Sequence, residues 1–136
     1  MPHLHTYAYQ VSFGDCDPAG IAYYPNIFKW VDTTFHDWLY GFGGHTALCK
    51  QLGATGLGLM DSKARFRSPL HNGDPLTVTI TALEWGNRTL SLTYQGHVGE
   101  RLAFEARETR GIFIPQDGRL TAGKADALRA LLFPDG

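Results

Sequence analysis

An α+β domain, with one long helix laid against an antiparallel sheet of about five strands, is predicted by three observations. Large residues alternate over 7–13. The apolar period then changes to spacings of three and four over 24–42. After Gly58 alternation returns as far as Pro115, broken only by short turns.

In the first run Tyr7, Tyr9, Val11 and Phe13 are separated by Ala8, Gln10 and Ser12, the period of a strand. In the second, Ile27, Phe28, Val31, Phe35, Trp38, Leu39 and Phe42 form one apolar stripe on a helix of about five turns. Gly41, Gly43 and Gly44 end it. Thr46 to Leu52 suits a short second helical piece, closed by Gly53, Gly56 and Gly58. Four strands follow. Met60, Ala64, Phe66 and Leu70 share a face of the first. Leu76, Val78, Ile80 and Ala82 mark the second, and Leu90, Leu92, Tyr94 and Val98 the third. The last, over 102–114, alternates less regularly, as a bend or bulge would make it. The turns His71-Asn72-Gly73-Asp74-Pro75 and Trp85-Gly86-Asn87 are short enough for antiparallel hairpins. Lys124 to Phe133 reads as a closing helix.

Composition narrows the function. Residues 1–136 make one domain by size, and 43% hydrophobic with 18% charged residues describes an ordinary globular chain. A net charge of −1 argues for neither nucleic acid nor an anionic membrane surface as a partner. No apolar run approaches the roughly 20 residues that span a bilayer. Met1-Pro2-His3-Leu4-His5 has neither the basic nor the apolar part of a secretory leader. Two cysteines, Cys16 and Cys49, are no disulfide framework, which suits a reduced, cytoplasmic protein. The six histidines have no metal-ligand spacing. Eight Phe, six Tyr and three Trp are many to bury in so small a domain, which suggests an oligomer.

Chemistry concentrates between the first strand and the long helix. There Phe13-Gly14-Asp15-Cys16-Asp17-Pro18-Ala19-Gly20-Ile21 is a turn-rich loop, and Pro25 stands where a helix starts. The first amides of a helix have no partner within it, so they face whatever lies ahead. A carboxylate, Asp17, beside such donors suits attack on a carbonyl with the oxyanion held. The competing role for Asp17 is to close an Asx turn before Pro18. Asp15 reads as a turn residue. Cys16 reads as packing, since a thiolate between two carboxylates is disfavoured.

Asp15-Cys16-Asp17-Pro18-Ala19-Gly20-Ile21, followed by Tyr24-Pro25-Asn26, resembles the signature of the 4-hydroxybenzoyl-CoA thioesterase family, the Pseudomonas-type branch of the hotdog-fold thioesterases. The likeness is dense from Phe13 to Asp32 and looser beyond. It implies a hotdog fold, in which the sheet wraps the central helix, and pairing into dimers or tetramers. It also implies hydrolysis of an aromatic, hydroxybenzoyl-type acyl-CoA, as in aromatic degradation. Asp17 would be nucleophile or general base, and the backbone amide of Tyr24 the oxyanion donor. Asp32 would recognise a ring hydroxyl across a subunit interface. An ordinary helix-surface carboxylate is the alternative for Asp32.

Coenzyme A is then part of the substrate, and no cofactor or metal is required. Its phosphates call for cationic or amide donors. Arg88 and Thr89 follow Glu84-Trp85 much as the family's nucleotide-contacting run does, although Gly86-Asn87 replaces a more basic pair. Lys63, Arg65 and Arg67, alternating on one strand, are the other candidates. Three rivals stay open: a short-chain aliphatic acyl-CoA thioesterase, a hotdog dehydratase, and a non-catalytic acyl-CoA binding module. The dehydratase uses a histidine with its carboxylate, and none lies on the Asp17 loop.

Overall fold

In the computed structural model, which describes residues 4–136, the N-terminal alternating run forms strand β1 (His5–Gln10). Met1, Pro2 and His3, read above for a leader, lie outside the described residues. The strand ends three residues before the expected Phe13. Ser12 donates its N–H to Asp15 Oδ2 at 2.8 Å, and Phe13–Asp15 close into one 3-10 turn. The Phe13 ring is left 81% exposed while Val11 is buried. A local capping bond overrides the alternation here.

Helix α1 (Tyr24–Tyr40) carries Pro25 in its first turn, where no N–H is needed, and ends at Gly41, before the expected Phe42. Gly43 and Gly44 then turn the chain with φ of +98° and +97°, a region closed to most side chains. The buried face comprises Ile27, Trp30, Val31, Thr34, Phe35, Trp38 and Leu39. Phe28, expected on this stripe, sits half-buried at its edge, and Trp30 and Thr34 join instead. Thr34 is tolerated inside because its hydroxyl donates to the Trp30 carbonyl at 2.7 Å. Each large apolar side chain fully buried here contributes about 1.5–3 kcal/mol, so the stripe anchors the helix along its length.

Next come α2 (His45–Leu52), β2 (Gly56–Phe66), β3 (Pro75–Trp85), β4 (Thr89–Val98), β5 (Arg101–Gln116), β6 (Arg119–Gly123) and α3 (Asp126–Leu132). The strand order is β1-β3-β4-β5-β2, antiparallel throughout, with β6 paired to the far end of β5. The sheet thus has six strands rather than about five. Asp117 and Gly118, at φ +52° and +78°, make the two-residue turn that an Asp-Gly pair favours.

The irregular run over 102–114 is a continuous strand. Its expected bulge falls at Ala103, where Gly96 pairs with Phe104 but His97 pairs with Leu102. Gly96 is required there, because a Cβ would sit 2.2 Å from the buried Phe104 ring. Further register shifts, between Leu59 and Asp61 and between Ile80 and Ala82, help curl the sheet around α1 into the expected hotdog arrangement. The first of these makes Met60 the extra residue of β2, so the predicted Met60–Leu70 face breaks. Leu70 lies past the strand, buried, and its carbonyl accepts the Ala22 N–H at 2.8 Å.

Candidate active site

The loop between β1 and α1 is held by Asp15. Its Oδ2 accepts the Tyr9 hydroxyl at 2.7 Å and the Ser12 N–H at 2.8 Å. Its carbonyl accepts the Tyr23 N–H and Asn26 Nδ2, both at 2.8 Å. One residue therefore ties the loop to β1 on one side and to the first turn of α1 on the other. That is more than the turn role expected for it. Burial alone would raise the Asp15 pKa, but the bonds from Ser12 and Tyr9 outweigh it and hold the carboxyl below its usual range.

Asp17 follows two residues later. Its N–H donates to the Ile21 carbonyl at 2.9 Å, its carbonyl accepts the Gly20 N–H at 2.8 Å, and its Oδ1 accepts the Ala19 N–H at 2.8 Å. The Asx turn is therefore present and occupies one carboxylate oxygen. Among the described residues Oδ2 has no hydrogen-bond partner. Asp17 lines a cavity of about 470 Å³ together with Ile21, Tyr24, Ile27, Phe66 and Arg67.

Tyr24 is the first residue of α1, and among the described residues its N–H donates to no protein acceptor. The helix dipole places roughly half a positive charge at this end. Asp17, with one carboxylate oxygen unbonded among the described residues, and Tyr24, with its amide unpaired, thus line one cavity. That set suits attack on a carbonyl with an oxyanion held beside it.

The other expected contacts lie elsewhere in the protomer. Asp32 is no ordinary surface carboxylate: its Oδ1 accepts Arg110 Nη2 at 2.8 Å, and His36 Nε2 stands 3.6 Å away. Arg88 and Thr89 sit at the opposite end of β3 from the loop, and the Arg88 guanidinium donates to the Ala122 carbonyl. Neither lines the Asp17 cavity. Arg67 does, with its Nη2 on Glu105 at 2.7 Å. Lys63 and Arg65 face a separate hollow of about 360 Å³ on the sheet. Among the described residues no cluster of three or more metal-ligand side chains occurs.

Sequence reading missed the polar group under α1. Tyr94 donates its hydroxyl to Glu108 Oε1 at 2.6 Å, and Arg110 donates to both Glu108 oxygens at 3.1 and 3.0 Å. Glu108 is 1% exposed and Arg110 4%. Burial and the neighbouring Glu108 push the Tyr94 hydroxyl pKa far up. Burial opposes the charge on Arg110, yet Glu108 and Asp32 outweigh it and raise its pKa. The signal was available: continuing the alternation from Phe104 and Ala106 turns Glu108 and Arg110 inward.

His45 extends this group, its ring centroid 5.2 Å from that of His36 and its Nε2 accepting the Leu57 N–H at 3.1 Å. Burial first, then His36 and Arg110, lower its pKa, while Asp32 opposes. An unfolded chain therefore takes up this proton before the folded one does. Stability is full above the ordinary histidine value and falls as pH drops below about 6.5. Thermal melts across this range are expected to lose Tm on acidification, and His45→Gln is expected to flatten the loss. Superimposable wild-type and variant profiles would remove His45 as the cause. Cys49 beside it, Sγ 3.6 Å from Nε2, has its thiol pKa raised by burial, which disfavours the thiolate.

A family model described as the thioesterase-like superfamily matches residues 11–135. The 4-hydroxybenzoyl-CoA thioesterase of Pseudomonas sp. (strain CBS-3) is 28% identical over 91 residues, which are 65% of this chain and 64% of that protein. The chain thus spans just under two thirds of this curated relative. A 1,4-dihydroxy-2-naphthoyl-CoA hydrolase of Thermosynechococcus vestitus is 28% identical over 121 residues, 86% of this chain and 82% of the other. The solved structure of the Pseudomonas sp. strain CBS-3 thioesterase superposes with a TM-score of 0.78 at 26% identity, covering 91% of this chain and 96% of the other.

Proposed function

Because the chain belongs to the thioesterase-like superfamily, we propose that it is an acyl-CoA thioesterase hydrolysing a hydroxylated aromatic acyl-CoA to the free acid and coenzyme A. The observation that carries this reading is that Asp17 and Tyr24, whose amide is unpaired among the described residues, line one cavity. The thioester carbonyl lies against the Tyr24 N–H. Asp17 either attacks the carbonyl carbon, forming an anhydride that water then cleaves, or takes a proton from the attacking water. The negative charge that develops on oxygen is held by the amide, and the thiolate of coenzyme A leaves.

The aromatic preference rests on the two relatives above, whose names both specify hydroxylated aromatic acyl groups, and on the apolar walls of Ile21, Ile27 and Phe66. Placement in the Pseudomonas-type branch rests on the Asp15–Ile21 and Tyr24–Asn26 segments. No cofactor or metal enters the reaction. Arg67 is the cation this protomer brings to the cavity for a coenzyme A phosphate, and Arg88 and Thr89 serve from a neighbouring copy. A reduced, cytoplasmic setting goes with two free cysteines, and no helix among the described residues is long and apolar enough to cross a membrane.

The test is free-thiol release from benzoyl-, 4-hydroxybenzoyl-, dihydroxynaphthoyl- and short aliphatic acyl-CoA. The hydroxylated aromatic esters are expected to show the highest kcat/KM. A preference for the aliphatic esters would move the protein to the short-chain reading. Binding without turnover on all of them would make it a binding module.

A dimer or tetramer belongs to the same reading. β2 is an edge strand of eleven residues with Leu59, Met60 and Phe66 each about half exposed, and Tyr24 is 57% exposed nearby. Open strand edges and apolar area of this kind are normally covered. Sedimentation at assay concentration is expected to give an oligomer, and a stable, active monomer would contradict it.

A further inference from the structure

Helix starts are commonly stabilised by a side-chain cap or by an acidic residue in the first turn. α1 has neither: Tyr23, just ahead of it, makes no side-chain cap bond, and the first turn contains no Asp or Glu. The amides here are taken up one by one instead. Ala22 donates its N–H to the Leu70 carbonyl at 2.8 Å, Tyr23 to the Asp15 carbonyl at 2.8 Å, and Asn26 to the Tyr23 carbonyl at 2.9 Å. Pro25 has no N–H to give. Between Ala22 and Asn26, Tyr24 is therefore the one amide without an acceptor among the described residues. The positive end of the helix is kept for what enters the cavity.

Asn26 bears on where that amide points. Its Nδ2 donates to the Asp15 carbonyl at 2.8 Å, the same oxygen that accepts the Tyr23 N–H. Donors on either side of Tyr24 thus grip one loop carbonyl. Asp15 is held from its other end as well, since Oδ2 accepts the Tyr9 hydroxyl at 2.7 Å and the Ser12 N–H at 2.8 Å. The Tyr9 ring in turn packs on the buried Trp30 of α1, with centroids 5.4 Å apart. Asp17 stands two residues beyond Asp15, so this clamp sets the carboxylate-bearing loop against the helix start. Tyr9, Asp15 and Asn26 do not themselves line the cavity.

We propose that Asn26 and Tyr9 are positioning residues for the oxyanion donor: acting through Asp15, they fix the direction of the Tyr24 amide relative to Asp17. The inference rests on the acyl-CoA thioesterase reading. Hydrogen bonds weaken steeply as they leave line. A misplacement of about 1 Å can cost on the order of a hundredfold in rate. The amide binds the oxyanion more strongly than the ground-state carbonyl, so its misalignment falls on kcat rather than on KM.

The experiment uses two variants. Asn26→Leu is similar in shape and removes the donor, and Tyr9→Phe keeps the ring on Trp30 and removes only the hydroxyl. Thiol release from 4-hydroxybenzoyl-CoA gives kcat and KM. The same ester, ¹³C-labelled at its carbonyl, is bound to Asp17→Asn protein so that none is consumed, and infrared difference spectra read the carbonyl stretch. With Asn26 and Tyr9 in place the band is expected below that of the free ester, because the Tyr24 amide polarises the bond. Adding Asn26→Leu is expected to return it towards the free value. In the enzyme with Asp17 intact, Asn26→Leu is expected to lower kcat on the order of tenfold to a hundredfold with KM little changed. Tyr9→Phe is expected to do the same more weakly. Circular dichroism checks the fold, and Tyr9→Phe decides if Asn26→Leu does not fold.

A folded variant that keeps the full band shift, or that raises KM and keeps kcat, would reduce these residues to a structural role and overturn the inference. An undisplaced band before either change, whether or not the ester binds, overturns it as well. Failure of the hydrolase reading looks different: wild type would release no thiol, while the band of the bound ester still answered to Asn26.

Discussion

Asp17→Asn is expected to lower kcat for thioester hydrolysis by about 10²–10⁴-fold, the range in which a positioned acid–base group contributes. The substitution isolates the chemistry because it spares the architecture. Asparagine has an oxygen in the same place to accept the Ala19 N–H, so the Asx turn and the backbone bonds to Gly20 and Ile21 persist. Its amide can neither attack a carbonyl nor take a proton from water. Tm should therefore hold and KM change little while kcat collapses. A variant with near wild-type kcat would remove Asp17 from the reaction and leave only its turn role. Single turnover in ¹⁸O-water can reveal the anhydride route. Label entering the Asp17 carboxylate marks an anhydride cleaved at the aspartyl carbonyl, whereas label only in the product acid fits water attacking either the thioester or the acyl carbon of the anhydride.

Arg110→Met is expected to cost about 3–5 kcal/mol of stability, since it strands the Glu108 carboxylate in the core. For a domain of this size that corresponds to a fall in Tm on the order of 10–20 °C. The loss arises from the unpaired partner more than from the missing bond. Glu108→Gln/Arg110→Met should therefore recover most of it, because the glutamine still accepts the Tyr94 hydroxyl and no buried charge remains. Thermal or urea unfolding of wild type, single and double variants reads this directly. Equal loss in both variants would mean that the packing of the Arg110 stem on Phe35, rather than charge balance, sets the cost.

Much of the fold was legible because period reports which face is buried. The stripe from Ile27 to Leu39 and the alternation from Leu76 to Leu92 both placed core residues correctly. Where the reading slipped, a local hydrogen bond or a bulge had changed the phase. Ser12 and Asp15 ended β1 early, and Met60 broke the face of β2. β6 went unseen although Asp117-Gly118 marks its turn, because the strand behind it is short and polar. Glu108 and Arg110 were passed over for a related reason: charged residues at inward positions read as irregularity, although their alternation continues that of Phe104 and Ala106.

By itself the sequence determined the α+β architecture, the Asp17 loop, its place ahead of an N-terminal helix amide, and the likeness that points to thioesters. These are local in the chain, carried by residues within a turn or two of each other. Only the tertiary structure decided which oxygen of Asp17 is free and that Phe66 and Arg67 close its cavity. It also decided that Arg88 lies at the other end of β3 and that Asp32 is tied to Arg110 seventy-eight residues away. The physical reason is that hydrogen-bond partners and cavity walls depend on how strands distant in sequence are brought into register. Periodicity records that an inward residue is buried, but not what it meets there.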